Sequence, residues 1–451
     1  MGMSQKVTII GAGLVGSLLS IYLSKRGYKV SVYEKRPDLR KNRISAGKSI
    51  NLALSDRGWR GLEGVGIADE IRKVAIPMKG RMIHNMDGEI NFQPYGKEGE
   101  AIYSVSRGGL NCLLMDLAEK HGAEFFYNKR CTNIDFQTAT SFYENTETKK
   151  ITTVKSERIF GTDGAFSSAR LQLQLSTDKF NYSQQYLEHG YKELVIPETE
   201  SGEFAMEPNA LHIWPRGKFM LIALPNLDKS YTCTLFFPFE GEQSFSALDT
   251  KEKMFEFFSK TFPDAVSLMP TLQHDYFAYP AASLVTVKCF PWSYEDKLLL
   301  LGDAAHAIVP FFGQGMNCGF EDCVILDQLI NNWSDDWRKI FSDFEAERKK
   351  NSDAIAELAV ENFVEMRELV GHPEFLLRKK IEAYLHEHYP EKWKPLYSMV
   401  TFSDIPYNTA YVEGKKQDEI MKQIMSLQNI SETWQKPETL NRILSIIERY
   451  S

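Results

Sequence analysis

Leu298-Leu-Leu-Leu-Gly-Asp-Ala-Ala-His306, running on into Pro310-Phe-Phe-Gly-Gln-Gly-Met-Asn-Cys-Gly319, is the stretch whose reading decides the fold. The leucine run, bounded by glycine, reads as a buried strand that delivers one acid, Asp303, at its carboxyl end. The Gly-rich turn that follows opens a helix whose free N–H groups can face an electron-rich ring. An acid at a strand end beside an open helix N-terminus is a place to hold a cofactor.

The start of the chain says which kind. Val7-Thr-Ile-Ile10 reads as a buried strand, Gly11-Ala-Gly-Leu-Val-Gly16 as a turn, and Leu18, Leu19 and Leu23 as the buried face of a helix leading to a second strand, Lys29-Val-Ser-Val-Tyr33. Gly11, Gly13 and Gly16 permit a tight turn, close approach to a pyrophosphate and close helix-to-strand packing. Glu34 ends the second strand 18 residues after Gly16, where an acid binds a ribose diol. The pattern predicts the ADP half of a dinucleotide, which NAD and FAD both present. The Asp303 region separates them. A ribityl chain needs an acceptor such as a carboxylate, and an anionic reduced isoalloxazine is stabilised by a helix N-terminus. Asp303 and Gly315, Met316 and Asn317 offer both, so the cofactor is read as a flavin.

Composition narrows the function class. A chain of 451 residues with 43% apolar content can bury a large core. Fifty-three basic against 60 acidic residues, with no long run of either sign, argue against a nucleic-acid partner and for a small organic substrate. The six cysteines contain no C-x-x-C pair, disulfide framework or zinc spacing, so they read as reduced thiols, with no metal expected. Met1-Gly-Met-Ser leads straight into a strand with no signal peptide, and no run is long enough to span a bilayer. The expected location is cytoplasmic. Leu440, Ile443, Leu444 and Ile447 offer an apolar helix face that could also rest on a membrane surface.

The predicted fold class is α/β: a Rossmann-type FAD-binding domain, an antiparallel-sheet substrate domain and a helical C-terminal region. The expected boundaries are 1–74, 101–182 and 284–335 for the discontinuous FAD domain, 75–100 and 183–283 for the substrate domain, and 336–451 for the helices. Alternating Thr232-Cys-Thr-Leu-Phe-Phe237 signals the second sheet, and Ile355, Leu358, Ala359, Phe363, Met366 and Leu369 recur at helical spacing.

Three segments, Gly11 to Gly16, Thr162-Asp-Gly-Ala-Phe-Ser-Ser-Ala-Arg170 and Gly302-Asp-Ala-Ala-His306, resemble in order and spacing the fingerprints of the single-component FAD aromatic hydroxylases. Within that family the chain resembles the kynurenine 3-monooxygenase branch over nearly its whole length. Ser49-Ile-Asn-Leu-Ala-Leu-Ser55, Pro77-Met-Lys-Gly-Arg-Met-Ile-His84, Gln93-Pro-Tyr-Gly96, Tyr103-Ser-Val-Ser-Arg107, Pro310 to Asn317 and Leu396-Tyr-Ser-Met-Val-Thr-Phe402 carry that likeness. One departure is the end of the chain, Leu440 to Ser451, which is too short and too charged for the hydrophobic anchor of membrane-bound relatives.

The resemblance implies tight, noncovalent FAD, with contacts at Gly11, Gly13, Val15, Gly16, Tyr33, Glu34, Lys35, Arg36 and Ala53. Further FAD contacts are implied at Arg107, Cys131, Asp163, Ser168, Asp303, Gly315, Met316 and Asn317. It implies L-kynurenine as substrate, NADPH as a transient reductant without its own glycine fingerprint, and O₂. Oxygen would be delivered by a flavin C4a-hydroperoxide to the ring carbon ortho to the amino group, giving 3-hydroxy-L-kynurenine on the route from tryptophan towards quinolinate and NAD. Arg81 is a fork for a carboxylate and Tyr95 a phenolic donor to the same oxygens; composition alone favours a surface ion-pair arginine and a turn aromatic, and the resemblance reverses that. Asn362 lies on an apolar helix stripe, where an amide must find a partner, and is otherwise a satisfied core asparagine. The resemblance assigns Asn362 and Tyr397 to substrate, with Phe311 and Phe312 beside its ring. His306 reads as structural. Because kynurenine's own anilino nitrogen activates the ring, no catalytic acid or base is assigned. Monomer and dimer are both compatible with the sequence.

Overall fold

A computed structural model describes residues 5–41, 51–370 and 372–450. Met1 to Ser4, and Ser49 and Ile50 of the segment quoted above, lie outside the described residues.

A six-stranded sheet organises the cofactor half. Its order is Ser293–Tyr294, Leu298–Leu300, Arg158–Gly161, Lys6–Ile10, Lys29–Tyr33 and Glu124–Phe126, parallel throughout except at the Ser293–Tyr294 edge. Val7, Ile9, Val30, Val32, Ile159, Phe160 and Leu298 to Leu300 are buried, as a parallel sheet covered on both faces requires. The helix Leu14–Lys25 covers one face with Leu18, Leu19 and Ile21, and the 19-residue helix Gly315–Trp333 packs beside it. Thus the two glycine turns read from sequence leave two strands of one sheet, Lys6–Ile10 and Leu298–Leu300, separated only by Arg158–Gly161, and lead to neighbouring helices.

The second layer is a seven-stranded sheet, ordered Ala282–Phe290, Asn181–Ile196, Tyr231–Pro238, Met220–Pro225, Ala210–Pro215, Gly80–His84 and Ile90–Pro94. Two features correct the sequence expectation. The sheet is not wholly antiparallel, because Gly80–His84 pairs parallel to Ala210–Pro215. It also includes Ala282–Phe290, so the boundary expected at residue 283 falls within a strand. A polar connection between layers can be placed from composition, but a strand that alternates like its neighbours gives no sign of which sheet it joins.

The 28-residue helix Trp337–Val364 runs into a π-helical turn, Glu365–Leu369, and Pro373–His388, Leu396–Thr401, Tyr407–Met425 and Pro437–Glu448 follow. Ile443 and Ile447 are buried with Leu385, Trp393, Ile420 and Ile424, and Leu440 and Leu444 pack partly buried against them. Two of the four residues expected to offer a membrane face, Ile443 and Ile447, are thus committed to the interior. Their apolar stripe stabilises the molecule itself, at about 1.5–3 kcal/mol for each fully buried aliphatic side chain. No helix among the described residues is long and apolar enough to cross a membrane.

Candidate active site

The first glycine turn is packed to backbone contact at two of its three glycines. Gly11 holds a φ of 101°, and its N–H donates to the Tyr33 carbonyl at 2.8 Å. A Cβ there would stand 2.7 Å from the Thr162 carbonyl oxygen, and one on Gly16 only 2.1 Å from the Gly11 oxygen. Gly13 is different: the space beside it is open, and it precedes the helix Leu14–Lys25 with no side-chain cap. An uncapped helix N-terminus next to an open glycine fits a pyrophosphate.

Glu34 is buried at the end of its strand. One carboxylate oxygen accepts the Ala12 N–H at 2.9 Å; the other accepts the Arg36 N–H at 3.0 Å and its Nε at 2.9 Å. Burial pushes its pKa up, but Arg36 outweighs this and holds the carboxyl below its usual range. The ionised oxygens keep lone pairs for a ribose diol. Tyr33 stacks between Phe126 and Tyr143, with ring centroids 4.8 and 4.1 Å away, while Lys35 is exposed. On the strand Lys129–Asp135, burial pushes the Cys131 thiol up to about 12, so it is neutral. Asp163 is engaged locally: it accepts from the Ser167 hydroxyl, the Ser168 N–H at 2.6 Å and the Ala169 N–H at 3.2 Å, capping the helix Ser168–Leu175. Arg107 opens the helix Arg107–Lys120 and is exposed, with its hydrophobic neighbours turned inward.

The second turn is held from beneath by a buried charge cluster that sequence reasoning missed. Asp303, itself exposed, begins a single helical turn of otherwise buried residues after Gly302, whose φ is 58° and where a Cβ would meet Val15 at 2.9 Å. Asp322 accepts the Gly302 N–H at 2.9 Å, His306 Nε2 at 2.7 Å and Arg348 Nε at 2.7 Å. Burial opposes all these charges, yet His306 and Arg348 hold the Asp322 carboxyl at about 2, and Asp322 raises His306 well above its ordinary value. His306 is therefore spent on holding this turn. The missed signal was spacing: Asp322 and Arg348 lie on interior faces of two long helices where unpaired charge is not tolerated.

Asn317 joins three backbone segments. Its Oδ1 accepts the Ser55 N–H at 2.9 Å, and its Nδ2 donates to the Ala53 and Gly313 carbonyls, both at 2.8 Å. The helix that begins at Gly315 has no side-chain cap, so the N–H groups of its first turn, Met316 included, fit a ligand. Ala53 and the 313–317 turn thus meet, and the same helix packs its Gly319 near Gly302, the residue before Asp303, beyond the end of a parallel strand, where open α/β sheets hold ligands.

One turn away lies an anion site of unusual character. Arg81, on the strand Gly80–His84, is buried, yet among the described residues its Nε has no hydrogen-bond partner. Its guanidinium stands 5.4 and 5.1 Å from the Tyr95 and Tyr397 ring centroids, which stack on each other at 5.2 Å. The buried Tyr95 hydroxyl is likewise without a partner. Burial pushes this phenol well above its usual pKa, so it remains a donor. Orphaned buried donors cost about 1–3 kcal/mol each, so such a pair points to a ligand. Tyr397 stacks on Phe312 at 5.5 Å, connecting the anion site to the Gly313 turn. Asn362 donates to the Phe311 carbonyl at 2.7 Å, and Phe311 stacks on Phe363 at 3.9 Å. All six residues expected at the substrate are brought together. Glu365, three residues after Asn362, was not foreseen; its carboxylate lies 3.7 Å from Arg81.

The C-terminal region closes this side. Arg57, fully buried, donates from Nε to the Val400 carbonyl at 2.8 Å and lies 4.0 Å from the Tyr407 ring centroid. The Tyr407 hydroxyl donates to Gln314 at 2.9 Å. The segment that carries Tyr397 is thereby fastened to the second glycine turn.

Residues 4–357 match the family model described as an FAD binding domain. Fold and site define a flavin monooxygenase of that family. Kynurenine 3-monooxygenase from Flavobacterium johnsoniae is 50% identical over 446 residues, 99% of each chain. That from Flavobacterium psychrophilum is 51% identical over 444 residues, 98% of this chain and 99% of the relative. The chain belongs to the kynurenine 3-monooxygenase family. The fold is shared with p-nitrophenol 4-monooxygenase from Pseudomonas putida DLL-E4, at a TM-score of 0.68 and 15% identity, covering 90% of this chain and 98% of that one.

Proposed function

We propose that this chain hydroxylates L-kynurenine to 3-hydroxy-L-kynurenine, consuming NADPH and O₂. The observation that carries the reading is the buried Arg81, its Nε without a partner among the described residues, beside the equally unpartnered Tyr95 hydroxyl: a preformed site for a carboxylate, lined by aromatic side chains. Arg81 grips the α-carboxylate with parallel N–H···O bonds and Tyr95 adds a third donor. Tyr397 and Asn362 complete the head-group site, while Phe311 and Phe312 wall the aromatic tail and exclude water.

The open N-termini at Gly13 and Gly315, the exposed acceptor Asp303 and the Glu34 carboxylate are the places that would hold FAD, with Arg107 at its phosphates. When bound, FAD supplies electron transfer from NADPH and activation of O₂. Val15, Ala53, Cys131, Asp163, Ser168 and Asn317 shape its bed by packing and backbone placement. The parallel-sheet layer serves as the FAD domain, the seven-stranded layer as the substrate domain, and the C-terminal helices as the closure over the head group. This chain's residues orient the ring and keep the site dry; the substrate's own amine supplies the activation that a protein base would otherwise give.

The test is product identity. Purified, FAD-loaded protein incubated with NADPH, L-kynurenine and ¹⁸O₂ should yield a monohydroxylated product carrying one labelled oxygen at the ring carbon ortho to the amine. Unlabelled product, or none, would reject the assignment.

A further inference from the structure

We propose that Glu365 is a specificity-determining residue that binds the substrate's α-ammonium group; the inference rests on the L-kynurenine reading above.

Glu365 and Arg81 form an unusual pair. Their charged atoms are 3.7 Å apart, outside hydrogen-bond geometry, and among the described residues the Arg81 Nε has no partner. Two opposite charges that are half to fully withdrawn from water normally close to a hydrogen-bonded contact, because an unsaturated buried charge is costly. These two instead stand side by side without bonding each other, with the Arg81 Nε left over. An α-amino acid head carries the inverse arrangement, a carboxylate and an ammonium on one carbon. Laid against the pair, its carboxylate meets Arg81 and its ammonium meets Glu365.

Two further observations hold Glu365 in that role. Lys379, on the helix Pro373–His388, lies 3.9 Å from the other Glu365 oxygen and 3.3 Å from Glu382, which is also bound by Arg378 at 2.8 Å. The carboxylate is thus steadied from outside by a cation too distant to occupy its lone pairs. Glu365 also follows Asn362 by three residues, which places both on one face of the helix, and it begins the π-helical turn Glu365–Leu369. Such turns re-aim side chains at functional sites.

Fixing carboxylate, ammonium and aromatic tail at three separate places also makes the site chiral. Neither property follows from Arg81 and Tyr95 alone, which would accept any aryl-keto acid of suitable length.

The experiment compares the wild type with Glu365→Gln and Glu365→Asp, each assayed as FAD-loaded protein. The substrates are L-kynurenine, D-kynurenine and the keto acid identical to kynurenine but lacking the α-amino group. The expected result is a wild-type preference in kcat/KM for L-kynurenine over the des-amino acid of at least about tenfold, a ratio that falls about tenfold or more in Glu365→Gln and is partly restored in Glu365→Asp. The L-over-D preference should fall in parallel. A wild-type ratio near one, or a Glu365→Gln ratio within about threefold of wild type, would overturn the inference. A variant that misfolds lowers all three substrates together, leaves both ratios intact and counts against it. Failure of the wild type to hydroxylate L-kynurenine at all would instead reject the proposed function.

Discussion

Arg81 illustrates how a residue's meaning changes between sequence and structure. In the sequence it is one of 53 basic residues, and only the resemblance gave it a role. In the structure its burial with an unpartnered Nε gives the proposed role a physical ground. Charge-assisted bonds contribute about 1.5–3 kcal/mol each, so Arg81→Ala should lower kcat/KM for L-kynurenine by at least about tenfold with normal FAD content. Arg81→Lys should recover only part, because an ammonium is a point charge that cannot reproduce the planar fork. Steady-state kinetics alongside flavin absorbance check both. Equal loss towards L-kynurenine and an analogue without the carboxylate would show that Arg81 acts on the fold instead. Glu365 was illegible beforehand because a glutamate at the end of a helix is ordinarily a solvated one; only its 3.7 Å approach to Arg81 distinguishes it.

Among the elements, the glycine turn offers a sharp contrast. Gly13→Ala adds a methyl into open space and should fold normally, with about 0.5 kcal/mol or less lost at the helix start, yet it should weaken FAD binding where the pyrophosphate must approach. Gly16→Ala drives a methyl to 2.1 Å from the Gly11 oxygen and should cost about 1–3 kcal/mol or more of stability. Denaturant unfolding of the FAD-free proteins and FAD titration separate the two effects. The turn itself was fully legible, since strand, glycine spacing, helix and terminal acid coincide within 34 residues. The cluster beneath the second turn was not, because its members come from three separate helices at no motif spacing, 16 and 26 residues apart. Removing the central charge with Asp322→Asn should cost about 3–5 kcal/mol at neutral pH, as it strands Arg348 and His306. The pH dependence follows from the depressed pKa: the Asp322 contribution is present above its ordinary value of 3.8 and is lost as pH falls through about 2. The stability gap between wild type and variant should therefore narrow as pH drops from 4 towards 2. A gap independent of pH over that range would contradict the charge assignment.

The whole molecule is a parallel cofactor layer, a mixed second sheet and a helical region that fastens to both. The two-layer plan was readable because buried parallel strands are continuously apolar and the second sheet alternates. The sheet membership of residues 282–290 and the destination of the last helix were not, because an amphipathic stripe reads the same whether a membrane or a neighbouring helix covers it. Ile443→Ala should destabilise the protein by about 2–5 kcal/mol, as expected of a buried isoleucine. The intact protein should stay in the supernatant when mixed with anionic vesicles and sedimented; pelleting with them would show that this face is not committed to the core. Tyr407→Phe, which loosens the C-terminal segment from Gln314, should raise the peroxide formed per NADPH consumed while leaving FAD bound.

The central claim is that bound L-kynurenine and the flavin are joined in one productive site. The most direct test is NADPH oxidation by the FAD-loaded protein with and without L-kynurenine, with 3-hydroxy-L-kynurenine and hydrogen peroxide measured in the same reaction. The account predicts slow NADPH consumption alone, strong stimulation by L-kynurenine, and close to one hydroxylated product per NADPH. Unstimulated oxidation, or stimulation that yields peroxide without product, would contradict it.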